Sequence, residues 1–310
     1  MTSVADAGHG DAVRDLLAWG GPRLRDLPWR ATRDPWAVLV AETMLQQTQV
    51  ARVVGPFQQF CSQFPTPAAC ASSDVGDVVR AWAGLGFNRR AVLLHRAATA
   101  IVERHAGTVP QDLDSLLALP GVGPYTARAV LVFAFEAPGA VVDTNVGRVL
   151  ARAFVGSRLT AAQAQQLADE LVPADDSWRW NQVLLDFGAQ VCTKRQPHCT
   201  TCPLHASCRW AETGFAEPDP AIASAGTSSP QSRFEGSDRQ GRGRLVAALR
   251  DGPVARDDIA VVAGWPRDCE RAERVAQRLV EDGVAVVDGR WLTLPRTAPG
   301  DEDATARVAS

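Results

Sequence analysis

LPGVGPYTARAV, at residues 119–130, joins the end of one apolar helical segment to a second helix that we expect to begin near Pro124. Gly121 and Gly123 lie in the turn, where glycine reaches backbone conformations closed to other residues and lets another surface approach closely. The N–H groups of such a turn and the positive end of the next helix suit one phosphate. The stretch predicts a helix-hairpin-helix that binds DNA backbone without reading its sequence. An ordinary turn between two helices is the alternative.

Composition sets broad limits on the chain. It has 310 residues, of which 46% are hydrophobic and 22% charged, so it has room for two or three globular domains. The net charge of −3 argues against a polybasic nucleic-acid protein, so any DNA contact is expected from a local face. The polar, acidic start of the chain and the lack of a long apolar run predict a cytoplasmic, nucleoid-associated protein whose cysteines stay reduced.

The pattern along the chain divides it into four parts. Residues 11–215 read as almost entirely helical, and 216–237 are rich in Pro, Ser, Ala and Gly, as in a flexible linker. Residues 238–296 offer three helices and a hairpin with its turn at 288–289, which predicts a winged-helix-like α+β module. DNA binding and packing or dimerisation both remain open for that module. Residues 297–310 are expected to be disordered.

Two acidic residues carry the predicted chemistry. Glu42 lies in the strongly apolar helix VLVAETMLQQT, where burial penalises its charge and should raise its pKa. Asp143 follows the apolar run AVV at the position of an N-cap, where backbone N–H groups favour the ionised carboxylate. One acid tending to hold a proton and one tending to lose it is typical of an acid/base pair. Taken singly, a solvated helix glutamate and a plain N-cap aspartate are the simpler interpretations.

Four cysteines with the spacing C-x6-C-x2-C-x5-C occupy residues 192–208; they are Cys192, Cys199, Cys202 and Cys208. Structural zinc also takes four thiolates, usually in two C-x2-C pairs. Only one such pair occurs here, which favours a [4Fe–4S] cluster over zinc.

These elements, in this order, resemble the iron–sulfur helix-hairpin-helix DNA glycosylase superfamily over residues 11–211. The endonuclease III branch has a lysine just after the hairpin, where this chain has Tyr125. The adenine-specific branch is the better match because of ETMLQQTQV at 42–50, LPW at 27–29 and GLGFNRRA at 84–91. Tyrosine also follows the hairpin in a related glycosylase of G/T mismatches, but the pair Gln46–Gln47 favours adenine. A mainly α, two-lobed helical core is the fold that this resemblance implies.

The resemblance also implies a mechanism and a substrate. Glu42 would protonate N7 of an adenine opposite guanine or 8-oxoguanine, and Asp143 would stabilise the oxocarbenium-like sugar. Tyr125 would orient Asp143 or the sugar, and Asn145 would hold the water or the aspartate. A monomer acting on double-stranded DNA is implied, and strand cleavage by a lysine Schiff base is not expected.

Several further residues acquire roles only through the resemblance. The adenine pocket would be lined by Trp29, Arg30 and Gln182. Gln47 and Phe87 would enter the duplex, and Arg90 would contact a phosphate. The chain departs from the family at Phe87–Asn88, where two tyrosines are usual. We find no Phe-Ser-His motif of the Nudix-like domain that reads 8-oxoguanine, so a short form lacking that domain is expected, and the sequence gives no opposite-base preference.

Overall fold

The protein is described by a computed structural model, in which residues 7–225 and 233–296 can be described. Helices dominate these residues, as the sequence predicts. In chain order the helices of the first 225 residues are α1 Ala7–Gly20, α2 Pro35–Leu45, α3 Val50–Gln63, α4 Pro67–Ala71, α5 Val75–Ala81, α6 Arg89–His105, α7 Leu113–Leu117, α8 Pro124–Phe135, α9 Thr144–Val149, α10 Ala161–Glu170, α11 Ser177–Gln190 and α12 Arg209–Glu212. A π-helical turn, Leu150–Val155, continues α9. Within the described ranges no helix has the length and apolar character needed to cross a bilayer.

The chain folds into two compact units that each use discontinuous segments. Among the described residues the first comprises 7–38, 111–113 and 123–225, and the second 39–110, 114–122 and 233–296. The core of the first unit is built by α1, α9, α10, α11 and the π-helical turn; among its most buried side chains are Leu16, Val149, Leu150, Trp180, Leu184 and Phe187. In the second unit α4 and α5 pack on α6, and Phe60 meets Trp82 edge-on at 5.9 Å.

The window 36–54, in which apolar residues recur at helical spacing with polar breaks, contains two helices in the structure. Helix α2 ends at Leu45 and α3 begins at Val50. Gln47 lies at the break with φ = 55°, a left-handed conformation that no regular helix contains. The break therefore turns the polar QQTQ segment into a loop.

The C-terminal module has the predicted elements and one more. Three helices, α13 Asp238–Asp251, α14 Ile259–Ala263 and α15 Cys269–Glu281, accompany the strands β1 Val254–Ala255, β2 Val286–Asp288 and β3 Trp291–Thr293. The predicted hairpin is β2–β3, which pairs antiparallel with Val287 opposite Leu292. Strand β1 starts the stretch VARDDIAVVAG at 254–264, whose composition predicts a helix throughout, and it adds to the other edge of β3.

The first part of the segment expected to be a flexible linker is packed in the structure. Ala221 and Ser224 are buried, and the Ser224 hydroxyl accepts a hydrogen bond from Leu159 N at 2.7 Å. Asp219 pairs with Arg152. Composition alone missed this because small Ala and Ser side chains suit both linkers and close packing. Residues 226–232 and the tail 297–310 lie outside the described residues.

Candidate functional site

Asp143 is the N-cap of α9, as its position after AVV predicts. Its Oδ1 accepts hydrogen bonds from the backbone N–H groups of Asn145 at 2.8 Å and Val146 at 2.7 Å. Its Oδ2 accepts one hydrogen bond, from Asn145 Nδ2 at 2.7 Å. The two oxygens are therefore unequal: Oδ1 uses both of its lone pairs on the helix start, and Oδ2 uses one.

The pKa of Asp143 is shifted upward, in the direction opposite to the one expected for a carboxylate at an N-cap. Burial raises the pKa of Asp143 above its ordinary value, and the hydrogen bonds from Val146 and Asn145 lower it only in part. Asn145 nevertheless has the contact with Asp143 that the resemblance implies. The result is a carboxylate that is held firmly in place yet costly to ionise.

A buried arginine links this N-cap to the cysteine loop. Arg148 donates from Nη2 to Asn145 Oδ1 at 2.8 Å and to Gly188 O at 2.6 Å. Its Nε donates to Cys192 O at 2.6 Å. Helix α11 also approaches closely here, since a Cβ on Gly188 would lie 2.8 Å from the Cβ of Asn145. The amide of Asn145 is thus fixed on both sides.

The predicted ligands Cys192, Cys199, Cys202 and Cys208 lie in a loop of two short 3-10 turns that follows α11. Cys192, Cys202 and Cys208 pack against the core of the first unit. Arg152, 2% exposed, donates from Nη1 to Cys192 Sγ at 3.6 Å, and its carbonyl accepts from Cys208 Sγ at 3.5 Å. Among the described residues no group of three or more His, Cys, Asp or Glu side chains has an arrangement that could hold a metal ion.

Glu42 is 5% exposed in α2, which confirms its predicted burial. Its neighbours Val40, Ala41 and Met44 are at most 1% exposed. The helix that carries it has hardly any polar face because the run WAVLVA is apolar throughout.

Arg90 is turned into the protein, where the resemblance implied a phosphate contact. It is 8% exposed, and Nη1 donates to the carbonyls of Thr43 at 2.9 Å, Met44 at 2.8 Å and Gln46 at 2.6 Å. Its Nη2 donates to the Thr48 hydroxyl and to the carbonyls of Leu85 and Gly86. Burial lowers the pKa of Arg90 to about 10, which leaves it charged near neutrality. One cation therefore ties the loop after α2 to the loop before α6.

The two residues expected to enter the duplex lie on these two tied loops. Gln47 and Phe87 both have left-handed backbones, with φ of 55° and 46°. Phe87 is 45% exposed, which is unusual for a phenylalanine, and the Arg90 guanidinium carbon lies 5.5 Å from its ring centroid. A non-glycine residue in this conformation carries strain that the surrounding structure must hold, and such strain is common at functional sites.

The predicted hairpin is present, but its two glycines differ. Gly121 has φ = 78°, and a Cβ there would lie 2.8 Å from the Cβ of Leu93. Gly123, at the N-cap of α8, has φ = −97°, which any residue adopts, and a Cβ there would meet nothing within 4 Å. The expectation that both glycines need special backbone geometry is thus wrong for Gly123. Tyr125 lies in the first turn of α8, where the resemblance places it.

Two of the residues expected to line the adenine pocket are buried, since Trp29 is 8% exposed and Gln182 4%, and the third, Arg30, is half-buried. Arg30 makes a two-pronged ion pair with Asp186, with two hydrogen bonds of 2.8 Å. Arg25 adds Nε at 2.7 Å to the same carboxylate, which is completely buried. Burial alone would raise the pKa of Asp186, but the hydrogen bonds from Arg30 and Arg25 outweigh it and lower the pKa.

Sequence reasoning missed Arg148, Arg152 and Asp186 as members of this arrangement. Each is a charged residue inside an apolar stretch, such as NVGRVLARAF at 145–154, and that pattern signals a buried, paired charge. The same pattern, a charged residue within an apolar stretch, predicts the burial of Glu42.

Comparison with known proteins identifies the broad class of protein to which this fold and site belong. Residues 40–174 match the HhH-GPD superfamily of base excision DNA repair proteins. A solved thermostable thymine-DNA glycosylase superimposes with a TM-score of 0.65, at 30% identity over 68% of this chain and 100% of its own. The helical fold and the hairpin are thus those of a DNA glycosylase.

The relatives narrow the class further. An adenine DNA glycosylase of Mycolicibacterium smegmatis is 41% identical over 286 residues, which cover 89% of this chain and 94% of that protein. A thymine/uracil-DNA glycosylase of Pyrobaculum aerophilum is 39% identical over 188 residues, which cover 58% of this chain and 82% of that protein. The first match reaches beyond the length of the glycosylase core. The chain therefore belongs to the adenine DNA glycosylase family, whose members hydrolyse the bond between base and sugar.

Proposed function

We propose that this adenine DNA glycosylase removes adenine mispaired with guanine or 8-oxoguanine in double-stranded DNA. The observation that carries the proposal is the carboxylate of Asp143, fixed by three hydrogen bonds with one lone pair of Oδ2 to spare. Adenine leaves deoxyribose readily only if it is protonated while positive charge builds on the sugar. An acid and an anion are therefore both needed, as in other glycoside hydrolyses.

Glu42 is the proposed acid. It is carried by the ETMLQQTQV motif of the adenine-specific branch and is almost completely buried. Buried carboxyls hold their protons to higher pH than exposed ones, as a general acid near neutrality requires. Glu42 would deliver its proton to N7 of the extruded adenine, so that the base departs neutral.

Asp143 is the proposed anion beside the sugar. The hydrogen bonds to Oδ1 fix the plane of the carboxylate, and Oδ2 is the oxygen with capacity to meet the developing charge. Asn145 holds Oδ2, and we propose that it also places the attacking water. Tyr125 stands where a lyase would have its lysine, so water completes the reaction and the strand stays intact until alkali is added.

The proposed DNA contacts follow from the loops. The hairpin at Gly121 and Gly123 offers N–H groups and the positive end of α8 to one phosphate. Gln47 fills the gap left by the extruded base, Gln46 beside it contacts the DNA, and Phe87 enters beside the opposite guanine. Base extrusion costs a few kcal/mol, so an exposed aromatic ring that replaces lost stacking favours it.

Trp29 and Gln182 are the proposed lining of the adenine pocket. Both terminal nitrogens of Arg30 donate to the carboxylate of Asp186. Arg30 therefore supports the pocket by this ion pair and does not itself bind the adenine. We propose that this ion pair sets the backbone after Trp29.

We further propose that Cys192, Cys199, Cys202 and Cys208 hold a [4Fe–4S] cluster. Thiolates are the ligands that iron–sulfur clusters take, and the four cysteines lie in one short loop after α11, where they would hold the cluster. The cationic Arg152 beside Cys192 suits an anionic cluster. When bound, such a cluster offers one-electron redox chemistry and a rigid anchor for its loop. Iron and sulfide near four each per chain, with a broad band at ~400 nm, would support it; one zinc per chain would contradict it.

The test of function is single-turnover base release from duplexes with adenine opposite guanine, 8-oxoguanine or cytosine, and with thymine opposite guanine. Glu42→Gln should slow adenine release by at least about 100-fold while leaving duplex binding intact. Glu103→Gln, an exposed glutamate in α6, is the matched control and should act like the wild type. Release by Glu42→Gln at the wild-type rate would remove Glu42 from the mechanism.

Thymine removal from G/T mismatches is the second candidate, because a thymine/uracil-DNA glycosylase is nearly as similar over the shared core. The same duplex panel decides between them. Faster release of thymine than of adenine would replace the first proposal with the second.

A further inference from the structure

Residues 82–88, between α5 and α6, form the loop that carries Phe87 and is called the Phe87 loop below. The C-terminal module packs against α5 and α6, and all of these elements belong to the second unit. Gly76, in α5, donates its N–H to Pro295 O at 2.9 Å, and a Cβ on Gly76 would lie 2.7 Å from that oxygen. At the start of α6, Arg89 lies 3.5 Å from Asp282, which also pairs with Arg242 of α13 at 2.6 Å. The module thus contacts the element before the loop and the element after it.

One side chain of the module reaches the loop itself. Arg250, in the last turn of α13, donates from Nη2 to Asn88 Oδ1 at 2.9 Å and from Nε to Val79 O at 3.1 Å. Asn88 is 5% exposed and directly follows the left-handed, exposed Phe87. Its own side chain makes no capping bond to α6. The Asn88 amide is therefore oriented by a residue about 160 positions later in the chain.

The loop has two anchors of different origin. Arg90 binds the carbonyls of Leu85 and Gly86 from inside the glycosylase core. Arg250 binds the side chain at 88 from the C-terminal module. Between the two anchors Phe87 has no freedom to relax its positive φ without breaking one of them.

We propose that Arg250 is a positioning residue for mismatch recognition: through Asn88 the C-terminal module holds the Phe87 loop in the conformation that enters the duplex. The inference rests on the proposed role of Phe87 at the base opposite the adenine. It assigns the module a task in the glycosylase reaction that requires no DNA contact of its own.

The test compares full-length Arg250→Ala, Arg250→Lys and Asn88→Ala with Arg256→Ala. Arg256 is in the same module, half-exposed and paired with Glu273, so it is the matched control. Hydrogen exchange of residues 84–91 in DNA-free protein should be about tenfold faster in Arg250→Ala and unchanged in Arg256→Ala. Arg250→Lys keeps one donor and should lie between the two.

Recognition is measured as the Kd for an A·G duplex that carries a non-hydrolysable adenosine analogue. Arg250→Ala should raise it about tenfold and leave the single-turnover rate at saturation within about twofold. Arg250 and Asn88 act through one contact. The Kd of the double variant Arg250→Ala/Asn88→Ala should therefore be no higher than that of whichever single variant binds the duplex less tightly. Thermal unfolding of each variant separates lost positioning from lost folding.

The outcomes are distinct. Equal exchange and equal Kd in Arg250→Ala and Arg256→Ala would overturn the inference, as would additive effects in the double variant. If the wild type releases no adenine from any mismatch, the proposed function fails, whereas the exchange experiment still reports whether Arg250 holds the loop.

Discussion

Replacing Gly121 by alanine should damage the fold, whereas the same change at Gly123, two residues on, should spare it. At Gly121 the backbone has φ = 78°, and the added methyl would lie 2.8 Å from Leu93 Cβ and 3.3 Å from its Cδ1. Leu93 Cβ belongs to helix α6 and cannot swing away as the end of a flexible side chain can. Both strain and overlap therefore fall on a well-packed part of the second unit.

The size of the effect follows from these two terms. A left-handed backbone costs a residue with a Cβ roughly 1–2 kcal/mol. Forcing an extra methyl into a packed contact costs about 1–3 kcal/mol. A total of about 2–5 kcal/mol lowers the melting temperature by roughly 4–20 °C, at about 2–4 °C per kcal/mol for a larger domain.

Gly123 offers the opposite case. Its φ of −97° is open to alanine and its Cβ position is empty. Alanine restricts the unfolded chain more than glycine does, which adds about 0.4–1 kcal/mol to the free energy of unfolding. This gain offsets the destabilisation that comes from replacing glycine by alanine at a helix N-cap. Gly123→Ala should melt within about 3 °C of the wild type. Its methyl would stand where the proposed phosphate approaches, so the Kd for duplex DNA should rise about tenfold.

Circular dichroism melts and fluorescence anisotropy with an undamaged duplex measure the two quantities. A Gly121→Ala protein that melts within 2–3 °C of the wild type would refute the strain argument. Equal DNA affinity of Gly123→Ala and wild type would remove Gly123 from the proposed phosphate site.

Three further predictions concern the first unit. Gly188→Ala should displace Asn145, whose Cβ and backbone lie within 3.0 Å of the new methyl, and lower the single-turnover rate more than the duplex affinity. Asp186→Asn leaves the buried Arg30 side chain without its carboxylate and should lower the free energy of unfolding by about 3–5 kcal/mol, measured by denaturant titration at pH 7. Because the pKa of Asp186 is lowered, the difference in stability between variant and wild type should shrink only in strong acid. Burial raises the pKa of Asp143, so its contribution to wild-type stability is lost as the pH rises above the ordinary range of an aspartic acid and through the raised pKa. The melting temperature of Asp143→Asn should therefore gain on that of the wild type over this rise in pH, and a constant difference between the two would contradict the argument.

Periodicity and turn chemistry predicted most of the elements. The hairpin before Pro124, the N-cap at Asp143 and the β2–β3 hairpin with its turn at 288–289 lie where local sequence predicts them. Each depends on residues within one or two turns of chain, which is the range that a sequence displays directly. The break at Gln47 was missed because polar residues at helical spacing look the same whether or not a loop follows.

The contacts that complete the candidate site are of a different kind. Arg90 reaches the carbonyls of residues about 45 positions earlier, and Arg148 reaches the carbonyl of Cys192. Carbonyl oxygens belong to every residue, so no side-chain pattern marks them as partners. A family motif preserves the arginine but does not say which way it turns.

Arg90 holds the two loops by main-chain oxygens and a single hydroxyl, and this has a consequence for evolution and engineering. The exposed side chains of Gln47 and Phe87 take no direct part in those bonds. They can be exchanged without dismantling the framework that presents them to a duplex. Selection for a new opposite-base preference can thus act on loop composition alone, provided that the guanidinium stays.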